Sequence, residues 1–224
     1  MQDFSLSFLE NYKAVILDLD GTILDSMKVW NKVDEIFLQK RGFKVDQEYT
    51  DTVKSSSMQR SAEYTVERFG LRETPEEVIA EWQSTVDEEY RRNIRIKDGV
   101  REFLEGARAM GIRITCATAL ARMNATDCLG NNGVLDFFEH ITTLEDLGND
   151  VSKNDPHIFL TASGKLGLKP SECLVFEDVY VAIEGAMKGG FDTVIVYDDL
   201  SANDFEKASN VAKYVIKDWK YGVC

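Results

Sequence analysis

The chain has 224 residues, 44% hydrophobic and 29% charged, enough apolar material to bury roughly 70 to 75% of its unfolded surface and too much for a disordered or fibrous protein. With 26 Lys and Arg against 39 Asp and Glu the formal net charge is −13, which argues against a nucleic-acid partner or any other polyanion. The longest unbroken apolar run is the five residues Val179 to Ile183, against the roughly 20 that a spanning helix needs, so no membrane segment is expected.

Met1 to Lys13 carries Asp3 and Glu10 and lacks a basic segment followed by an apolar one, so a cytoplasmic location is expected. Cys116, Cys128, Cys173 and Cys224 form no CxxC pair, which fits idle thiols in a reducing compartment better than disulfides or zinc ligands.

Ala14-Val15-Ile16-Leu17 is a short apolar run that passes at once into Asp18-Leu19-Asp20-Gly21-Thr22, the pattern of a buried parallel strand entering a tight loop. From Met27 to about Arg95 helical spacing replaces it. Val29, Val33, Ile36 and Phe37 share a stripe that ends at Gly42, and Ala62, Val66 and Phe69 share another before Gly70. Thr74-Pro75-Glu76-Glu77 is a helix start with a capping box, and Val78, Ile79, Trp82, Val86 and Tyr90 line the helix that follows. Trp30, Phe37, Trp82 and Tyr90 are read as the core of this helical region.

After Asp98-Gly99 the chain alternates: helix Val100 to Met110, strand Ile112 to Ala117, helix Ala119 to Leu129, strand Phe138 to Ile141, helix Pro156 to Leu166, strand Cys173 to Phe176, helix Tyr180 to Lys188, strand Thr193 to Tyr197, and a weaker helix and strand ending near Ile216. Such alternation predicts an α/β fold, a Rossmann-like doubly wound parallel sheet covered by helices on both faces. The expected division is a core of residues 1–26 and 97–224 and an inserted helical domain of residues 27–96.

In an open parallel sheet the ligand site lies beyond the carboxyl ends of the strands. The first strand delivers Asp18, Asp20 and Thr22 there; the strand after Gly111 delivers Thr118; the loop after Ile141 delivers Lys153; and the strand from Cys173 delivers Glu177 and Asp178. Converging carboxylates repel one another unless a cation neutralises them, and oxygen donors with neither Cys nor His among them point to a hard divalent ion, Mg²⁺. Asp18, Asp20, Glu177 and Asp178 are the candidate metal ligands. Lys153, Thr118 and backbone N–H groups at the start of the helix from Ala119 would then serve phosphate oxygens, so the site suits a phosphoryl group.

These residues resemble the motifs of the haloacid dehalogenase-like hydrolase superfamily, in its order and over most of the chain. Asp18-Leu19-Asp20-Gly21-Thr22 looks like the first motif, Thr118 the second, Lys153 the third and Glu177-Asp178 the fourth. The insert from Met27 sits where the helical cap of the β-phosphoglucomutase-like subgroup is placed. The resemblance implies that Asp18 attacks phosphorus to form an aspartyl-phosphate. It implies that Asp20 protonates the leaving group and then activates water, the Gly21 turn bringing it to the leaving oxygen. It further implies a cap that closes through hinges near Asp25-Ser26 and Lys97-Gly99, with Lys54, Met58 and Arg60 setting the substrate.

The third motif usually reads Lys-Pro-x-Pro-Asp, whereas here it is Lys153-Asn154-Asp155-Pro156-His157, and Val179 and Ala182 replace the Ser and Gly that usually follow the fourth. Trp30 and Met58 occupy the cap positions at which the mutase branch carries a His and an Arg.

Each motif also has a plainer reading. Asp18 to Thr22 could be a capped turn, Thr118 an N-cap, Lys153 a solvated side chain, and Glu177-Asp178 acids decorating a helix N-terminus. A calcium loop is excluded, since a register that places Asp18 and Asp20 at positions 3 and 5 puts Ile16 at 1 and Met27 at 12. The expected activity is that of a Mg²⁺-dependent phosphatase acting on a small phosphorylated metabolite. A sugar-phosphate mutase and a metal- and phosphate-binding module without catalysis are its rivals.

Overall fold

A computed structural model describes residues 6–54, 56–147 and 152–222. Cys224 and the side chain of Lys54 lie outside the described residues. Contacts divide the chain into Met1–Ser26 with Ile94–Cys224, and Met27–Asn93.

Among the described residues the first unit is built on six parallel strands: β1 (Ala14–Leu17), β2 (Arg113–Thr118), β3 (Ile141–Thr143), β4 (Cys173–Glu177), β5 (Asp192–Val196) and β6 (Tyr214–Ile216). Their order across the sheet is β3-β2-β1-β4-β5-β6. The chain therefore builds outward from β1 in one direction, then jumps back across it to β4 and builds the other way. The crevice between the ends of β1 and β4 is the switch point at which such sheets bind ligands. Leu17 is in register with Cys116 on one side and Phe176 on the other, and the Asp18 N–H continues the ladder to the Phe176 carbonyl at 3.0 Å.

Both faces of the sheet are covered, which is why β1 and β4 are buried at every position instead of alternating. Ala14, Ile16, Cys173 and Val175 pack with Ile158, Phe159 and Ala162 of α7 (His157–Lys165) and with Ala182 and Ala186 of α8 (Tyr180–Lys188). Phe176 meets Phe103 of α5 (Val100–Ala109) at 5.3 Å between ring centroids and stacks on Trp219 at 5.7 Å. The remaining helices of this unit are α6 (Arg122–Asn131) and α9 (Ala202–Ala208).

Two elements start three residues later than expected. The third strand runs Ile141–Thr143, not Phe138 to Ile141, because Phe138 ends a 3-10 turn over Leu135–Phe137. The helix after β2 begins at Arg122, not Ala119. Thr118 Oγ1 accepts the Leu120 N–H at 3.1 Å, so residues 119–121 form a loop, and the expected anion-binding helix start at Ala119 is absent.

The second unit contains α1 (Val29–Gln39), α2 (Gln47–Lys54), α3 (Met58–Phe69) and α4 (Pro75–Arg92). The capping box forms: Thr74 accepts the Glu77 N–H at 3.3 Å and Glu77 accepts the Thr74 N–H at 2.8 Å. Phe37 meets the edge of Trp82 at 5.7 Å, and Tyr90 is buried with them. Trp30 corrects the expected core set, being 43% exposed at the second position of α1, off the stripe of Val29, Val33 and Phe37. Among the described residues no helix is long and apolar enough to cross a membrane.

Candidate active site

β1 ends at Leu17, and the next residue, Asp18, stands at the crevice, still buried at 3% exposure. Gly21 then adopts φ +72°, a conformation costly for residues with a Cβ, and its N–H reaches the Leu24 carbonyl at 3.2 Å. The loop folds back so that Leu24 N–H meets the Leu19 carbonyl at 2.8 Å, and the chain on either side of the insert is tied by Asp25 N–H to the Arg95 carbonyl at 2.9 Å. The Lys97-Gly99 stretch thus lies inside the first unit, with the Lys97 N–H on the Ile23 carbonyl at 2.8 Å.

Four of the six candidate residues come together. Asp18, Glu177 and Asp178, all buried, each place a carboxylate oxygen within 4.8 Å of the others. The Lys153 ammonium donates to Asp18 Oδ1 and, at 2.6 Å, to Glu177 Oε1. Thr22 donates to the other oxygen of Asp18 at 3.2 Å. The solvated-lysine reading is thereby excluded, for the side chain of Lys153 is only 12% exposed.

Asp20 and Thr118 stand differently. Asp20 is outside the carboxylate cluster, and its Oδ1 accepts the Ser26 hydroxyl at 2.6 Å. Its expected place as a fourth carboxylate ligand therefore has no support in this geometry, whereas a role in proton transfer is compatible with it. Thr118 is fully buried at the end of β2, the neighbour of β1, where it binds the Leu120 N–H rather than capping a helix.

The electrostatics are strained. Burial first, and the Asp18 charge next, hold Glu177 well above the ordinary carboxyl range against the pull of Lys153. The same two causes push Asp178 up to about 7, while Ser201, Lys153 and Lys97 act the other way. Burial would lower the Lys153 ammonium, but the charges of Asp18 and Glu177 outweigh it and raise it. One ammonium among three carboxylates leaves negative charge uncompensated, and Asp178 Oδ2 is buried with no hydrogen-bond partner. An orphaned carboxylate oxygen beside two further carboxylates is the donor set of a hard divalent cation, and the residues fit such an ion.

Sequence reasoning missed Lys97 and Ser26 as members of this neighbourhood. The Lys97 ammonium donates to the Gly21 carbonyl and, at 3.1 Å, to the Tyr197 carbonyl, and it pairs with Asp198 at 3.0 Å. No sequence pattern could have joined Lys97 to partners so far along the chain. Ser26 was within reach, since a loop that doubles back at Gly21 brings position 26 beside position 20.

Residues 15–196 match the family model described as haloacid dehalogenase-like hydrolase. The chain belongs to that family. Among its curated relatives, the phosphoglycolate phosphatase of Thiobacillus denitrificans is 28% identical over 192 residues, covering 82% of each chain. The fructose-1-phosphate phosphatase YqaB of Escherichia coli is 25% identical over 190 residues, covering 84% of this chain and 97% of its own. Among solved structures, CbbY from Rhodobacter sphaeroides in complex with phosphate superposes with a TM-score of 0.71 at 15% identity, covering 94% of this chain and 97% of the other, a likeness of fold. The protein is a hydrolase with the α/β fold of this family.

Proposed function

We propose that this hydrolase is a Mg²⁺-dependent phosphatase that releases inorganic phosphate from a small phosphorylated metabolite. The observation that carries the reading is the meeting of Asp18, Glu177 and Asp178 with the Lys153 ammonium at the crevice between β1 and β4. Relatives named as phosphatases, acting on phosphoglycolate and fructose 1-phosphate, support it.

Asp18, Glu177 and Asp178 would hold the cation, which supplies positive charge against the phosphoryl oxygens. Lys153 adds a second positive charge at the same place, so that an anionic carboxylate can approach an anionic phosphate. Asp18 is oriented before substrate arrives, since Lys153 and Thr22 fix its two oxygens. One of those oxygens bonds to phosphorus as the bond from phosphorus to the ester oxygen breaks, and Asp20 gives its proton to the leaving oxygen. Asp20 then takes a proton from water, whose oxygen displaces Asp18 from phosphorus. The Ser26 hydroxyl fixes the Asp20 carboxyl for both transfers. The helices of residues 27–93 are proposed to act as the cap that selects the substrate.

The test is phosphate release from a panel of sugar, glycolate and nucleoside monophosphates, with and without Mg²⁺. Turnover is expected only with the ion, and Asp18→Asn is expected to lower it by a factor on the order of 10³ or more. Wild-type turnover in Asp18→Asn would reject the nucleophile. A sugar-phosphate mutase is the less favoured reading, as these curated relatives are named phosphatases; it would interconvert hexose phosphates with little free phosphate.

A further inference from the structure

Lys153 is delivered by a short segment ahead of α7, whose described residues 152–156 make their own turn. The Ser152 carbonyl accepts the Asp155 N–H at 3.1 Å, and Asp155 accepts the His157 N–H at 2.9 Å, which shapes the turn locally but does not tie it to the acids it serves. The tie comes from α8. A Cβ built on Gly185 would lie 2.1 Å from the Lys153 carbonyl oxygen and 3.0 Å from the Asn154 carbonyl carbon. One turn on, a Cβ on Gly189 would lie 2.9 Å from Pro156 Cβ. Between them Lys188 Nζ donates to the Asn154 carbonyl at 3.3 Å.

We infer that Gly185, supported by Gly189 and Lys188, is a positioning residue that sets the reach of the Lys153 ammonium in the active site. The inference deepens the phosphatase reading and rests on it for the chemical role of Lys153. α8 starts at Tyr180, directly after the strand that supplies Glu177 and Asp178. One strand-to-helix unit thus carries two of the acids at its bend and the seat of their lysine two turns further along. The Lys153 backbone lies in contact with the helix backbone, closer than any side chain permits. Helix propensity alone favours Ala over Gly at such a place, so the expected loss opposes the local preference. Displacing a catalytic group by about 1 Å costs up to roughly 100-fold in rate.

The test is hydrolysis of p-nitrophenyl phosphate with Mg²⁺ by wild type, Gly185→Ala, Lys188→Met and Lys153→Met, and by the two double variants that contain Lys153→Met. Gly164→Ala serves as control, since a Cβ on that glycine of α7 meets nothing within 4 Å. Gly185→Ala is expected to lower kcat/KM on the order of 10- to 100-fold, Lys188→Met severalfold, and the control not at all. In the Lys153→Met background the first two are expected to change the residual rate less than twofold, because the group they position is gone. An equal loss in both backgrounds, or wild-type activity in Gly185→Ala, overturns the inference. Should Gly185→Ala fail to fold, Lys188→Met carries the same cycle. If the wild type releases no phosphate from any monoester, the phosphatase reading fails first. Crystal structures of wild type and Lys188→Met or Gly185→Ala then decide the seat alone: a Lys153 Nζ that moves away from Glu177 supports it, and one that stays refutes it.

Discussion

Asp34 shows what burial does to a carboxylate whose hydrogen-bond donor is a tyrosine hydroxyl. It lies in the core of the helical unit, where Tyr49 donates to it at 3.2 Å and in turn meets Thr65 at 3.0 Å. Burial pushes its carboxyl up to about 6, and the Tyr49 bond only partly offsets this. The unfolded chain releases that proton near the ordinary value of 3.8, so between about pH 4 and 6 the folded state binds more protons than the unfolded one. Stability from this group is therefore present at low pH and lost as pH rises through that window. Asp34→Asn is expected to flatten the pH dependence of urea unfolding between pH 4 and 6 and to add about 1 to 2 kcal/mol at pH 7. An unchanged slope would contradict this assignment. At the active site the same physics was legible in the sequence, because Asp18 and the pair Glu177-Asp178 each follow directly on an apolar run that had to be a strand. The orphaned oxygen of Asp178 was not legible, since only packing decides which donors reach it.

Elements were readable where they carry both a pattern and punctuation. α4 has a capped start, a proline in its first turn and an apolar stripe, and Thr74→Ala is expected to cost about 1 kcal/mol in urea unfolding, with Thr74→Ser restoring most of it. α2 was invisible: in Gln47–Lys54 the hydrophobic residues are Tyr49 and Val53, and helical order there rests on Tyr49 packing against Phe69 at 5.5 Å and Tyr64 at 6.1 Å. The start of α6 was misplaced because Ala119, Leu120 and Ala121 are good helix formers, and the bond from the Leu120 N–H to the Thr118 hydroxyl overrode their preference. Trp30 was assigned to the core on spacing alone. It sits next to Val29, about 100° round the helix, which is enough to leave it in solvent.

For the molecule as a whole, alternation of helices and strands announced a parallel sheet, but its order could not be read, because pairing of β1 with both β2 and β4 depends on contacts far apart in the chain. That order is what brings Asp18 and Glu177 to one crevice, and the Mg²⁺ proposed to join them should be visible in global stability. Mg²⁺ at about 100 times its dissociation constant adds roughly 2.7 kcal/mol, a rise on the order of 5 to 10 °C in thermal midpoint for a chain of this size. Differential scanning calorimetry in MgCl₂ against EDTA checks it, and Asp178→Ala is expected to abolish the rise. The central place of β1 also has a consequence during synthesis. Its second neighbour, β4, is translated only after more than 150 further residues, a delay of roughly 8 to 30 s at the usual ribosomal pace. Throughout that interval Ala14-Val15-Ile16-Leu17 offers an unshielded sticky edge, so the segment that bears the proposed nucleophile is also the one where a nascent-chain chaperone would find its handhold.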